Sequence, residues 1–303
     1  MKKFILFLLS LSFSSLATDV RLYAFGHSLI DHRPPAIPTP SDETTILHWI
    51  NDIALFAGHT FATGGQYGFL TTHDNLPPAS NWGYDNIPAV WDDTVQPFSA
   101  ANINTILITA ANFIQYQGVN DPHPLDANTT AIQSTSTIFD WVNTQQSGIK
   151  FYIYENWPEM DLTNPYPPTL PTATEVNDFH QQTLGAFHTW WSDYLTQMHL
   201  SRPTLDIQMI SVGPIISRII TQVIPGQLPF SETYEDSAPH GRASLYFLAG
   251  MITYMAIYNE QIPQAYIPST LVHSSIRNNL PQIRNFVWNE LNPSALVFKN
   301  GFE

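Results

Sequence analysis

Five short apolar runs recur along this chain, with stretches of helical spacing between and after them. That alternation limits the folds open to it more than any other feature. The runs are VRLYAFG (20–26), HTFATGG (59–65), INTILITAAN (103–112), IKFYIYENW (149–157) and LDIQMISVG (205–213). INTILITAAN is apolar at consecutive positions, so both of its faces must be covered, as in a parallel strand between two helical layers. Helical spacing follows at 44–58, 129–147, 174–199, beyond Pro214 and at 241–259, with one more helix in the tail from about 270. The pattern predicts an α/β fold, a doubly wound parallel sheet with helices on both faces. No internal repeat or linker divides the chain, so residues 18–303 read as one domain.

The punctuation supports this reading. HRPPAIPTPSD (32–42) carries four prolines and can be neither helix nor central strand. Ser41 or Asp42 can cap the following helix, which Gly58 closes. Residues 71–98 are rich in Pro, Asn and Trp without periodicity and read as loop. GRASLYFLAGMITYMAIYN (241–259) is apolar on nearly every face, which predicts a buried helix.

The first residues, MKKFILFLLSLSFSSLAT, combine two lysines, a short apolar run and Ser15-Leu16-Ala17. They read as a secretory signal peptide over residues 1–17, cleaved after Ala17, and point to a secreted or periplasmic protein without a stable membrane anchor. With no cysteine in 303 residues, disulfides, thiol nucleophiles and thiolate metal sites are excluded. Loss of Lys2 and Lys3 would leave 9 basic residues of the 11 against 25 acidic ones. That balance argues against nucleic acid and anionic lipid as partners.

In sheets of this kind ligands bind beyond the carboxyl ends of the strands. The first run breaks at Gly26 and hands Ser28 to a turn. The second ends in Gly64-Gly65 and the third at Ala111-Asn112. Far along the chain, YEDSAPHGR (234–242) places acids and His240 in one loop ahead of the apolar helix. Together these supply what acyl transfer needs. Ser28 is the nucleophile, His240 the base, and Asp236 the carboxylate that orients the imidazole. The N–H groups of Ser28 and Gly65 and the amide of Asn112 would form an oxyanion hole. Asp236 is the nearer acid and Glu235 the alternative. A His base works only when neutral, so the rate is expected to climb through roughly pH 6 to 8.

The set Gly26-His27-Ser28-Leu29, Gly65, Asn112 and His240 resembles the GDSL/SGNH hydrolase superfamily, over residues 20 to about 258. This chain has His27 where that pattern has Asp. Asp236 stands four residues before His240, where the family's acid stands three before; Ser237 occupies that place here. The resemblance implies a flavodoxin-like sheet of order 2-1-3-4-5 and esterase or deacylase activity without a cofactor. Substrates expected on this reading are carbohydrate or other small esters, with His27 and Trp157 at the substrate. A lipolytic esterase or acyltransferase and a carbohydrate-binding protein on a non-catalytic hydrolase fold are the alternatives. Trp82, Tyr84, Trp91 and Trp157 could stack on sugar rings or simply pack long loops. His27, His32, His73 and His123 show no metal-ligand spacing, so no metal is expected.

Overall fold

The structure, a computed structural model, describes residues 17–113 and 117–293. The leader read at 1–17 lies outside these residues apart from Ala17, as does the closing FKNGFE. Strands β1 (Asp19–Gly26), β2 (Thr60–Tyr67), β3 (Thr105–Ile108), β4 (Lys150–Tyr154) and β5 (Asp206–Ile210) are all parallel, in the order β2-β1-β3-β4-β5. Around them pack α1 (Ile46–Ala57), α2 (Ala131–Gln145), α3 (Ala173–Gln182), α4 (His188–Ser201), α5 (Val212–Arg218), α6 (Ala243–Tyr258) and α7 (Leu280–Leu291). This is the doubly wound α/β sheet expected. Among the described residues no helix is long and apolar enough to cross a membrane.

Side chains of a strand alternate between the faces of its sheet, and the two cores follow that period. Val20, Leu22 and Ala24 of β1 join Leu107, Tyr154 and Ile210 in a core with α1, α5, α6 and α7. Tyr23 and Phe25 join Ile106, Ile108 and Ile153 in a second core with α2 and α4. All four residues of β3 are buried, as a central strand covered on both faces must be. In α6 every residue but Ala256 is buried. Gly250 lets that helix press on α1: a Cβ there would lie 2.6 Å from the Trp49 Cβ and 2.9 Å from the Ile46 carbonyl oxygen.

Several local expectations are corrected. Thr45, not Ser41 or Asp42, caps α1, its hydroxyl accepting from the Leu47 N–H at 3.2 Å. Asp42 is occupied elsewhere, accepting from Arg33 and from the Asp85 N–H. The long helix read at 174–199 is two helices joined by a π-helical turn, Thr183–Phe187, where Gly185 leaves helical geometry. Pro214 lies inside α5 rather than before it, at the third position, where a missing N–H costs no intrahelical bond. A single helical turn, Leu70–His73, interrupts the loop read at 71–98. An antiparallel hairpin pairs Pro122–His123 with Asp126–Thr130, too short and polar for its pattern to show. The second run continues past Gly64-Gly65 to Tyr67.

Candidate active site

The break after β1 is where the expected residues meet. Ser28 sits two residues beyond the strand, half-buried, in a turn closed by Ile30 N–H and Asp31 N–H donating to the His27 carbonyl. The turn is held from α6 as well: the Tyr246 hydroxyl, from the first turn of that helix, donates to the Ser28 carbonyl at 2.6 Å. The loop before α6 brings His240 against it. His240 Nε2 lies 2.8 Å from Ser28 Oγ, and His240 Nδ1 lies 2.6 Å from Asp236 Oδ2. An ionised Asp can only accept, so Nδ1 carries the proton and Nε2 accepts from the serine hydroxyl.

Asp236 is fixed independently of the ring. Its Oδ1 accepts from the Ala238 N–H at 3.0 Å and the His240 N–H at 2.9 Å. The extra residue between acid and histidine is absorbed by this compact turn. Burial pushes the Asp236 carboxyl up, but the hydrogen bonds from the His240 ring, the His240 backbone and Ala238 outweigh it. The carboxyl is held below its usual range.

Glu235, the alternative acid, points the other way. Its Oε1 lies 2.5 Å from His32 Nε2, and its carboxylate also accepts from the Ala36 N–H. The His32 and His240 rings are stacked, with centroids 4.0 Å apart and planes 8° apart. Two adjacent acids thus serve two stacked histidines.

The other site residues divide. Asn112 reaches the site, its amide N–H donating to the Ala238 carbonyl at 2.6 Å, so it braces the loop that carries Asp236 and His240. Gly65 does not sit at a strand end. It lies inside β2, in register with Ala24, and its lack of a side chain serves packing: a Cβ would lie 2.3 Å from the Ala24 carbonyl oxygen and 2.6 Å from the Trp82 ring. The strand-end residue beside the Ser28 turn is Gly68, whose N–H donates to the Gly26 carbonyl at 2.8 Å.

His27 is not at a substrate surface. It is 1% exposed, its Nε2 lies 2.8 Å from the Ala110 carbonyl oxygen, and burial pushes its ring down to about 4. Trp157 is likewise buried, its indole N–H donating to the Pro239 carbonyl at 3.0 Å next to His240. Both are props beneath the site. Trp82 and Trp91 are buried in the loop they pack; Arg33 lies over the Tyr84 ring at 4.6 Å while its guanidinium forks onto Asp31.

Two residues at the site gave no catalytic signal in the sequence. His32 and Tyr246 are brought in by the fold, from the loop after β1 and from α6. Among the described residues no group of three His, Asp or Glu side chains is arranged to hold a metal ion.

No family model matches the chain, and no curated protein does. Among solved structures, it is similar to Est24, a carbohydrate acetylesterase from Sinorhizobium meliloti, at 12% identity and a TM-score of 0.38, over 80% of this chain and 99% of that one. It is also similar to the lipase Lip_vut3 from a goat rumen metagenome, at 10% identity and a TM-score of 0.41, over 76% and 94%. Likeness at that level carries no functional argument, so the reading below rests on the site.

Proposed function

We propose that this chain is an exported serine ester hydrolase of the GDSL/SGNH type, acting on short acyl esters of carbohydrates or other small alcohols. One observation carries the reading: the unbroken chain Ser28 Oγ–His240–Asp236, at 2.8 and 2.6 Å, at the carboxyl edge of a parallel sheet. Ser28 Oγ attacks the ester carbonyl carbon while His240 Nε2 takes its proton. Asp236 keeps the imidazole in the required tautomer and stabilises the imidazolium. The oxyanion faces the Ser28 N–H and the second amide hydrogen of Asn112. Collapse breaks the bond to the alcohol, which leaves with the proton held by His240. Water, deprotonated by the same nitrogen, then releases the acid and restores Ser28.

The test is hydrolysis of p-nitrophenyl acetate by the mature chain and by Ser28→Ala. The variant should lose activity by about 10⁴-fold or more and should no longer be labelled by a fluorophosphonate. Labelling that persists places the nucleophile elsewhere. Comparison of acetylated oligosaccharides with long-chain esters checks the acyl length.

A further inference from the structure

We propose that His32 and Glu235 form a positioning pair for the base, a shelf on which the His240 imidazole rests and which places a carboxylate beside it. The proposal rests on the reading of Ser28 and His240 given above and adds two residues to it.

The geometry is built rather than incidental. His32 is clamped at its backbone, its N–H donating to the Thr44 carbonyl at 3.0 Å and its own carbonyl accepting from the Thr44 hydroxyl at 2.6 Å. Its ring is clamped at Nε2 by Glu235, itself 5% exposed and fixed by the Ala36 N–H. The N–H of Glu235 donates to the carbonyl of His240 at 2.9 Å. The same residue therefore holds the main chain of the base and the ring beneath it. A residue held at its backbone by Thr44 and at its ring Nε2 by Glu235, with the ring plane 8° from that of His240, restricts the base from tilting away from Ser28 Oγ. Asp236 alone fixes one nitrogen and leaves rotation about that contact open.

Charge follows from the same arrangement. His240 faces Asp236 on its own loop, the His32–Glu235 pair across the stack, and His27, which burial keeps neutral, from the end of β1. Beside His32 in the chain, Arg33 pairs with both Asp31 and Asp42, and Arg242 lines a cavity of about 310 Å³ on which Glu235 also opens. With His32 neutral, the pair presents one negative charge to the base; with His32 protonated, it presents none. Glu235→Gln removes that charge in the first case, and His32→Phe uncovers it in the second. At least one of the two variants must therefore move the acidic limb of kcat/KM. Glu235→Gln moves it to lower pH and His32→Phe to higher pH, by about 0.5 or more.

The experiment follows p-nitrophenyl acetate hydrolysis by wild type, Ser28→Ala, His32→Ala, His32→Phe and Glu235→Gln across pH. Losing the shelf in His32→Ala should lower kcat about tenfold or more with KM within about twofold, whereas His32→Phe, which keeps a flat ring there, recovers most of the rate at its optimum. A residue that only stabilises the fold would not separate Phe from Ala in this way or shift the limb. The proposal is overturned if His32→Ala stays within about twofold of wild type, or if His32→Phe and Glu235→Gln both keep the wild-type limb. Activity retained in Ser28→Ala would instead remove the reading beneath it, which keeps the two failures apart.

Discussion

Two neighbouring acids, Glu235 and Asp236, differ at this site by which way their side chains leave the chain. Both lie in the bend that follows Tyr234, which turns Asp236 toward His240 and Glu235 toward His32. Asp236→Asn keeps an oxygen for the Ala238 and His240 N–H groups but offers the imidazole an amide where it needs an acceptor. Its kcat should fall by about 10³–10⁴-fold, the size of the equivalent change in a serine protease triad. Its urea midpoint should move far less. A loss smaller than that of Glu235→Gln would mean the two acids have been assigned the wrong way round. The choice between them was open in the sequence, because spacing to His240 does not say which side of the loop faces the ring.

At the scale of elements, the site depends on how closely α6 can approach its neighbours. Tyr246 holds the Ser28 turn from α6, and α6 meets α1 where Gly250 leaves room for Trp49. Alanine is the better helix former by about 1 kcal/mol, so an exposed Gly→Ala would stabilise. Here the added methyl meets a side chain and a backbone oxygen, neither of which can swing away. Gly250→Ala should therefore destabilise by about 1–3 kcal/mol, read as a lower midpoint in urea at unchanged slope. A stabilised variant would show that the α1–α6 contact is looser than drawn. Apolarity around α6 foretold its burial. The partner it packs on lies just over 200 positions away in the chain, so neither that partner nor the need for glycine at the contact could be read locally.

Across the whole molecule, buried histidines set the response to acid. Burial pushes His27 and His180 down to about 4 and His73 down to about 3. These rings stay neutral in the fold at pH values where the unfolded chain, titrating near ~6.5, takes up protons. Their contribution is thus complete above about pH 6.5 and is lost as pH falls from there to about 4. Burial raises the Glu155 carboxyl, and its hydrogen bond raises His188. Both favour the protonated form in the fold, so they act with the opposite sign and their contribution is lost as pH rises. Asp31 and Glu159, raised by burial, act with that same sign, and His123, lowered by burial, acts with the three rings. Those three rings are displaced furthest, so the urea midpoint should drop between pH 6.5 and 4, with His180→Gln flattening the slope. A midpoint constant over that range would sink this account.

By itself the sequence determined the sheet, its two covered faces, Ser28 and His240, and narrowed the acid to Asp236 or Glu235. Each of these follows from local periodicity or from the chemistry of a residue type at a strand end or in the loop before the apolar helix. Tertiary structure alone decided the rest. Gly65 turned from an oxyanion donor into a packing position because β2 runs two residues further than its glycines suggested. His27 and Trp157 turned from substrate contacts into buried props because His27 is held inward by the Ala110 carbonyl and Trp157 by the Pro239 carbonyl next to His240. His32 became a neighbour of the base because residues 203 positions apart, His32 and Glu235, pair across the turn. Burial and long-range pairing depend on what the rest of the chain places opposite a residue, and no local pattern carries that information.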